Sequence, residues 1–384
     1  MVNAERLIQE FMELVRVDSE SGAERQLADL LKEKLTALGL EVFEDNAGDF
    51  IEVGRGTGNI IATLPGNGGE GPLLLLSAHM DTVKPGRGVR PRRENGVITS
   101  AGDTVLGSDD KAGIVAILEC LRVVKEENIV HGGIQVVFTV AEEIGLVGAK
   151  NLDYSRIKAR VGFVLDSGGP PGEIIIKAPT QYSFTATIKG KAAHAGIAPE
   201  QGVNAIVVAS HAIANMKVGR IDEETTSNIG LISGGVATNI VPEQTTVKGE
   251  ARSINPSKAK DQIDHMVDEI NKAAEKFGAT ATIDVEKEYD SINLAPESLP
   301  VRIAIQAAEN IGIKPFPGQT GGGSDANIFN GRGIACANLG IGMSKVHTTE
   351  EFISEENLVA NAQLMVEIVK VAQAIKKGVV PWKV

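Results

Sequence analysis

The sequence predicts an α/β protein: a doubly wound, mainly parallel sheet, interrupted by an inserted α+β domain of ferredoxin-like type. Three observations carry this expectation. Short apolar runs at 73–76, 134–140 and 161–165 alternate with amphipathic stretches, as strands covered on both faces alternate with their crossover helices. From about residue 179 the pattern changes to β-α-β-β-α-β, the split βαβ order. Beyond residue 292 the α/β pattern returns. The expected boundaries are therefore 1–178 and 292–384 for one domain, and 179–291 for the insertion.

Residues 3–16 carry Ile8, Phe11, Met12 and Val15 at helical spacing. A second helix opens at Ser21-Gly22-Ala23-Glu24, which reads as a capping box, and stops near Gly39. Strands at 59–64 and 72–77 follow, the latter delivering Ser77-Ala78-His79-Met80-Asp81 to its C-terminal end. Residues 82–107 read as a long loop with a small hairpin. Gly107-Ser108-Asp109-Asp110-Lys111-Ala112-Gly113 then feeds a helix, and the strand at 134–140 ends in Glu142-Glu143. A further strand at 161–165 ends in Asp166. In the insertion, strands are expected at 182–188, 227–233, 245–252 and 280–288, with helices near 203–217 and 257–276. A helix at 298–311, a strand at 334–339, a loop carrying His347 and a helix at 355–377 complete the chain.

The chain of 384 residues is 42% apolar and 23% charged, ordinary for a globular protein. Its net charge of −12 argues against nucleic acid or an anionic membrane as partner. Cys120 and Cys336 lie in apolar runs and read as free buried thiols, which fits a reducing compartment. Glu5, Arg6, Glu10 and Glu13 follow Met1 too closely for a secretory signal, so the expected location is cytoplasmic.

The chemistry concentrates at strand ends, where open α/β sheets bind ligands. Two adjacent carboxylates such as Glu142 and Glu143 repel each other there unless a cation or a proton separates them. Each candidate has an ordinary alternative: a satisfied strand-end histidine for His79, a turn former for Asp166, a helix cap for Asp109 and Asp110. The coincidence of His79, Asp109, Glu143, Asp166 and His347 is what favours a site. Imidazole and carboxylate ligands without cysteine suit Zn²⁺, Mn²⁺ or Co²⁺. His79 and Asp81, two apart, project to one side, as a ligand and the carboxylate that orients it would.

Ala78-His79-Met80-Asp81-Thr82, the 107–113 run, Glu142-Glu143, Asp166 and Val346-His347-Thr348-Thr349-Glu350-Glu351-Phe352 together resemble the dizinc (M20-type) peptidase family of peptidase T and carboxypeptidase G. The similarity spans nearly the whole chain. It is strongest toward the peptidase T-like group, through residues 79–86, 108–113 and 321–327. The resemblance implies two divalent metal ions, Zn²⁺ first, bridged by Asp109. His79 and Asp166 would complete one ion, Glu143 and His347 the other. Asp109 is preferred over Asp110 because Asp110 falls on the family's variable position. Glu142 would be the general base, and Asp81 the partner of His79. Ser108 departs from the alanine of the peptidase T pattern. The insertion would be the family's lid, with His194 of Gly190-Lys191-Ala192-Ala193-His194-Ala195-Gly196 donating to the oxyanion. A homodimer through the lid is compatible with this.

Asn239 and Arg252 are candidates for holding the substrate's carboxylate, for which the planar guanidinium fork is suited. An exposed salt bridge is the alternative for Arg252. Gly322 and Gly323, in Gly321-Gly322-Gly323-Ser324, could offer backbone amides to substrate or form a flexible turn. His131, His211 and His265 read as structural. The expected function is hydrolysis of short peptides by a peptidase T-like aminopeptidase. A deacylase or carboxypeptidase acting on N-acyl amino acids would use the same metal motifs, and a catalytically inactive metal-containing binding module is a third reading, opposed by Glu142. The run Gly54-Arg55-Gly56-Thr57-Gly58 lacks phosphate-loop spacing and precedes a strand where a helix is needed.

Overall fold

The strand Leu74–His79 lies at the centre of the main sheet, and all six of its residues are buried. It pairs in parallel with Gly133–Thr139 on one side and Val161–Ser167 on the other. Ala335–Gly340 extends the parallel set beyond Val161–Ser167. Antiparallel strands flank this core: Ile60–Pro65 and then Glu41–Glu44 on one edge, Glu173–Ala178 on the other. A mainly parallel sheet within an α/β fold is therefore present as expected, and Glu173–Ala178 is an addition to it. The central strand and its two parallel neighbours are mostly apolar because helices cover both faces, with Ser77, His79, Gln135 and Thr139 as buried polar exceptions, and each fully buried Leu, Ile or Val side chain contributes about 1.5–3 kcal/mol.

The computed structural model describes residues 1–51 and 56–374. Gly54 and Arg55, and the expected end of the closing helix at 375–377, lie outside the described residues. The helix Ser108–Glu126 is buried along most of its length, with Ile114, Val115, Ile117, Leu118 and Leu121 all fully enclosed. Its first turn is not helical: Asp109 has φ −83 and ψ 101, and Asp110 φ −121 and ψ 33. The amides there are thus released from the helix ladder. Cys120 and Cys336 are buried free thiols. Among the described residues, no helix is long and apolar enough to cross a membrane.

The turn after Gly133–Thr139 is stitched by one buried side chain. Asn59 accepts from Val140 N at 3.1 Å and donates to Gly148 O at 2.9 Å. Gly148 is required by this closure, since a Cβ would lie 2.3 Å from Val140 O and 2.5 Å from Asn59 Oδ1.

The chain divides into two compact units, Met1–Ile176 with Asn293–Gln319 and Ser324–Val384, and Lys177–Ile292 with Thr320–Gly323. In the second, the strands run Thr225–Gly234, Gln244–Ser253, Thr180–Lys189 and Thr280–Tyr289, all antiparallel, with Gly219–Arg220 at one edge. This order, second-third-first-fourth along the chain, is ferredoxin-like. Helices Ala205–Asn215 and Pro256–Phe277 bury Val208, Ile263, Met266 and Ile270 against Phe184, Ala186 and Ile188 of the sheet.

Candidate active site

Three adjacent parallel strands deliver the first residues. The register that sets His79 opposite Thr139 brings Glu142 and Glu143, just past that strand, beside His79. Asp166 lies near the end of Val161–Ser167. Asp109 comes from the non-helical turn at the start of Ser108–Glu126, and His347 from the loop before Phe352–Ser354, in left-handed backbone at φ 63.

Asp109 is the hub. Its Oδ1 lies 3.0 Å from His79 Nε2 and its Oδ2 3.2 Å from His347 Nε2. His79 Nε2 is also 3.8 Å from Asp166 Oδ1, and His347 Nε2 is 2.9 Å from Glu143 Oε1. Each ring nitrogen thus faces two carboxylate oxygens. Glu143 Oε1 is buried and, despite that distance, lies off the line of any hydrogen bond. Ligand atoms of His79, Asp109 and Asp166 all fall within 4.8 Å of one another, as do those of Asp109, Glu143 and His347. A third grouping within the same limit joins His79 to Glu142 and Glu143.

The charges show what such a cluster requires. Burial pushes the carboxyls of Glu142 and Asp166 well above their usual range, and Asp166 and Asp109, respectively, add to this as neighbouring anions. His347 is raised to about 10 by the carboxylates beside its ring, Asp109 first and then Glu143. His79 is raised well above its ordinary value: burial opposes this, but the hydrogen bonds and charges of Asp109 and Asp81 prevail. The anions therefore call for positive charge between them. A donor set of imidazoles and carboxylates converging on shared points fits a divalent ion of the Zn²⁺, Mn²⁺ or Co²⁺ type.

Asp81 is fully buried and faces His79 Nδ1 at 3.4 Å. Burial alone would raise its carboxyl, but the His79 ring, the Ser21 hydroxyl and the Glu142 amide hold it below the usual range. Its Oδ1 accepts from Glu142 N at 2.9 Å and its Oδ2 from Glu143 N at 3.2 Å. One carboxylate therefore aims both the histidine and the two glutamates.

Ser21 and Glu24 correct an expectation. They form no capping box, and the helix Arg25–Ala37 begins with Glu24 at its N-cap without a side-chain cap. Ser21 Oγ instead donates to Asp81 Oδ2 at 2.6 Å. Glu24 Oε1 accepts from Gly22 N and from Ala141 N, both at 3.0 Å, and Ala141 has φ 50. The consecutive amides of Ala141, Glu142 and Glu143 are all held by buried carboxylates. Burial, and then the Asp81 charge, raise Glu24 to about 7.

Other groups near the cluster carry no expected role. Asp110 accepts from His79 N at 3.1 Å. Asn338 accepts from Asp166 N at 3.0 Å and donates to Ser324 Oγ at 3.2 Å. Thr139 donates to Asp325, which burial raises to about 6. Only the Gly321–Asn327 run offered a signal for Asp325.

The remaining candidates belong to the second unit. His194 is exposed and pairs across a bridge with Ile240, while Ala195 N donates to Asn239 O at 3.0 Å. Arg252 pairs through Nε and Nη2 with Glu250, each at 3.0 Å, and its Nη1 reaches Gly321 O at 3.4 Å. Gly322 N donates to Thr320 Oγ1 at 3.1 Å. Gly323 packs on Tyr289, where a Cβ would meet the ring at 2.2 Å.

The chain is 46% identical over 373 residues to the uncharacterized protein YqjE of Bacillus subtilis (strain 168), covering 97% of this chain and 100% of that one. Among solved structures it is similar to an aminopeptidase PepT from Bacillus cereus ATCC 10987, with TM-score 0.88, 46% identity and coverage of 97% and 99%. It is also similar to a tripeptidase from Staphylococcus aureus subsp. aureus Mu50, with TM-score 0.92, 42% identity and coverage of 98% and 100%. The family model for peptidase family M20/M25/M40 matches residues 75–371, which include every residue of the cluster around Asp109. This chain belongs to that family of peptidases.

Proposed function

We propose that the protein is a two-metal aminopeptidase that removes the N-terminal residue from short peptides, tripeptides among them. The observation that carries this reading is Asp109, whose two oxygens each lie beside a different imidazole. The solved relatives named aminopeptidase PepT and tripeptidase, at 46% and 42% identity, support the substrate class.

His79 and Asp166 would hold one ion, Glu143 and His347 the other, and Asp109 both. When bound, such ions polarise the scissile carbonyl and lower the pKa of the attacking water. Glu142 then accepts that water's proton on its carboxylate and delivers it to the leaving amine nitrogen. Asp81 keeps His79 Nδ1 oriented and fixes the backbone from which Glu142 reaches the substrate. Ser21 and Glu24 hold Asp81 and Ala141 in turn.

The second unit is assigned the roles of lid and of pairing surface for a second copy, with His194, Asn239, Arg252 and the amides of Gly322 and Gly323 directed to substrate. Support for pairing comes from the strand Thr225–Gly234. Its short neighbour Gly219–Arg220 pairs only with Ser227 and Thr226, and Leu231 and Ile232 beyond them are 64% and 51% exposed. Sedimentation should give a dimer that Leu231→Lys dissociates, and a monomeric wild type at assay concentrations would contradict this role.

The substrate class is tested with purified protein and added Zn²⁺, Mn²⁺ or Co²⁺, against di- and tripeptides and their N-acetylated forms. Free tripeptides should be cleaved from the N-terminus. Acetylation should lower kcat/KM by about 10²-fold or more, because a site built around a polar group rejects ligands that lack it. Faster cleavage of the acetylated forms would favour the deacylase reading.

A further inference from the structure

His347 is borne by a loop whose ends pair with each other, Ser344 N to Phe352 O at 3.0 Å and Phe352 N to Ser344 O at 3.1 Å. Within it, Lys345 and His347 have φ 53 and φ 63, a left-handed region that disfavours residues with a side chain. The local ties lie within the loop itself: Thr348 Oγ1 donates to Lys345 O at 2.7 Å, Glu351 N to Thr348 O at 3.2 Å, Glu350 N to Thr348 Oγ1 at 3.2 Å and Lys345 Nζ to Glu350 Oε2 at 2.6 Å. Residues 347–350 are exposed.

What seats the loop is Glu351, only 2% exposed. Its Oε1 accepts from Ser108 Oγ at 2.5 Å and from Asp109 N at 3.1 Å, and its Oε2 accepts from Gly107 N at 2.9 Å. These donors lie at and just before Asp109, whose amide, in the first turn of the helix, has no acceptor within the helix. Lys111 lies near this carboxylate and is itself buried, with Nζ donating to Val17 O at 2.8 Å. Ser108, where the resemblance to peptidase T would give alanine, adds a donor that alanine lacks. One side chain thus joins the two segments that set Asp109 Oδ2 beside His347 Nε2.

We propose that Glu351 is a positioning residue that, through Gly107, Ser108 and Asp109, sets the affinity of the Asp109–Glu143–His347 half of the site for its divalent ion. This rests on the two-ion reading above. Glu351→Gln keeps the shape but turns an amide donor toward donors, and Ser108→Ala removes one hydrogen bond only. Zn²⁺ binding to chelator-treated protein, read by competition with a metallochromic dye, should show one of two ions weakened about 10–100-fold in Glu351→Gln. The other ion, which also depends on Asp109 but not on the His347 loop, should be weakened less, and Ser108→Ala should shift the first ion by less than Glu351→Gln does. In metal-free protein, hydrogen exchange should accelerate in peptides covering 344–352 and not in the sheet. Wild-type affinity for both ions in Glu351→Gln would overturn the proposal. So would equal loss of both ions with faster exchange throughout, which would mark a merely structural role. If wild-type protein takes up no divalent ion, the two-ion reading falls, and unchanged exchange at 344–352 would then refute the seating role as well.

Discussion

Glu142→Gln should abolish turnover while metal content stays intact, and Glu143→Gln, one residue on, should lose metal first. The two carboxylates follow one strand, and their amides are fixed by the two oxygens of a single side chain, Asp81. Glu143 reaches His347 Nε2 at 2.9 Å and lies with Asp109 and His347 in one ligand group. Glu142 is 9% exposed, and burial followed by the Asp166 charge raises its carboxyl well above the usual range, as suits a proton carrier. Gln matches Glu in shape but cannot take up a proton, so kcat should fall at least about 10²–10⁴-fold with KM little changed. Losing Glu143 removes an anionic ligand, and the metal at that position should leave. The check is kcat and metal stoichiometry for both variants side by side. Glu142 also falls within ligand distance of His79 and Glu143, so the assignment is exposed. If Glu142→Gln sheds metal as readily as Glu143→Gln, Glu142 is a ligand and the roles are wrong.

Asp109→Asn should cost the protein both ions, whereas Asp166→Asn should cost only the one on the His79 side. Asp109 places one oxygen near each of His79 Nε2 and His347 Nε2. The amide keeps the volume but removes the charge and one acceptor oxygen. Asp166 approaches only His79, at 3.8 Å. Elemental analysis after dialysis separates the two outcomes. Full metal content in Asp109→Asn would mean that the carboxylate is not shared, and loss of both ions from Asp166→Asn would mean that the halves are not separable.

The fold was legible where periodicity and burial agree. Strands such as Leu74–His79, buried on both faces, are mostly apolar, so they announce themselves and where they end. The cluster was readable for the same reason, since His79, Glu143 and Asp166 interrupt apolar runs abruptly. The supports were not readable, because their partners are distant in sequence. Ser21 and Glu24 have the residues and spacing of a local cap, yet their hydrogen bonds go to Asp81 and Ala141. Glu351 finds its donors at 107–109, and nothing in its neighbours marks it as different from exposed Glu350. The strand Glu173–Ala178 pairs antiparallel with a segment more than a hundred residues away, and its six residues carry too little pattern to stand alone. Arg252 was expected to meet a carboxylate, and in the structure it meets Glu250, two residues before it on the same strand face.

Peptide hydrolysis should depend on two divalent ions held by the residues around Asp109. The most direct test strips the purified protein with chelator, returns Zn²⁺ in measured equivalents, and follows bound metal and tripeptide cleavage together. The account predicts an inactive stripped protein, uptake of two equivalents, and activity that reaches its maximum only as the second is bound. Full activity in protein shown by elemental analysis to contain no divalent metal would contradict it.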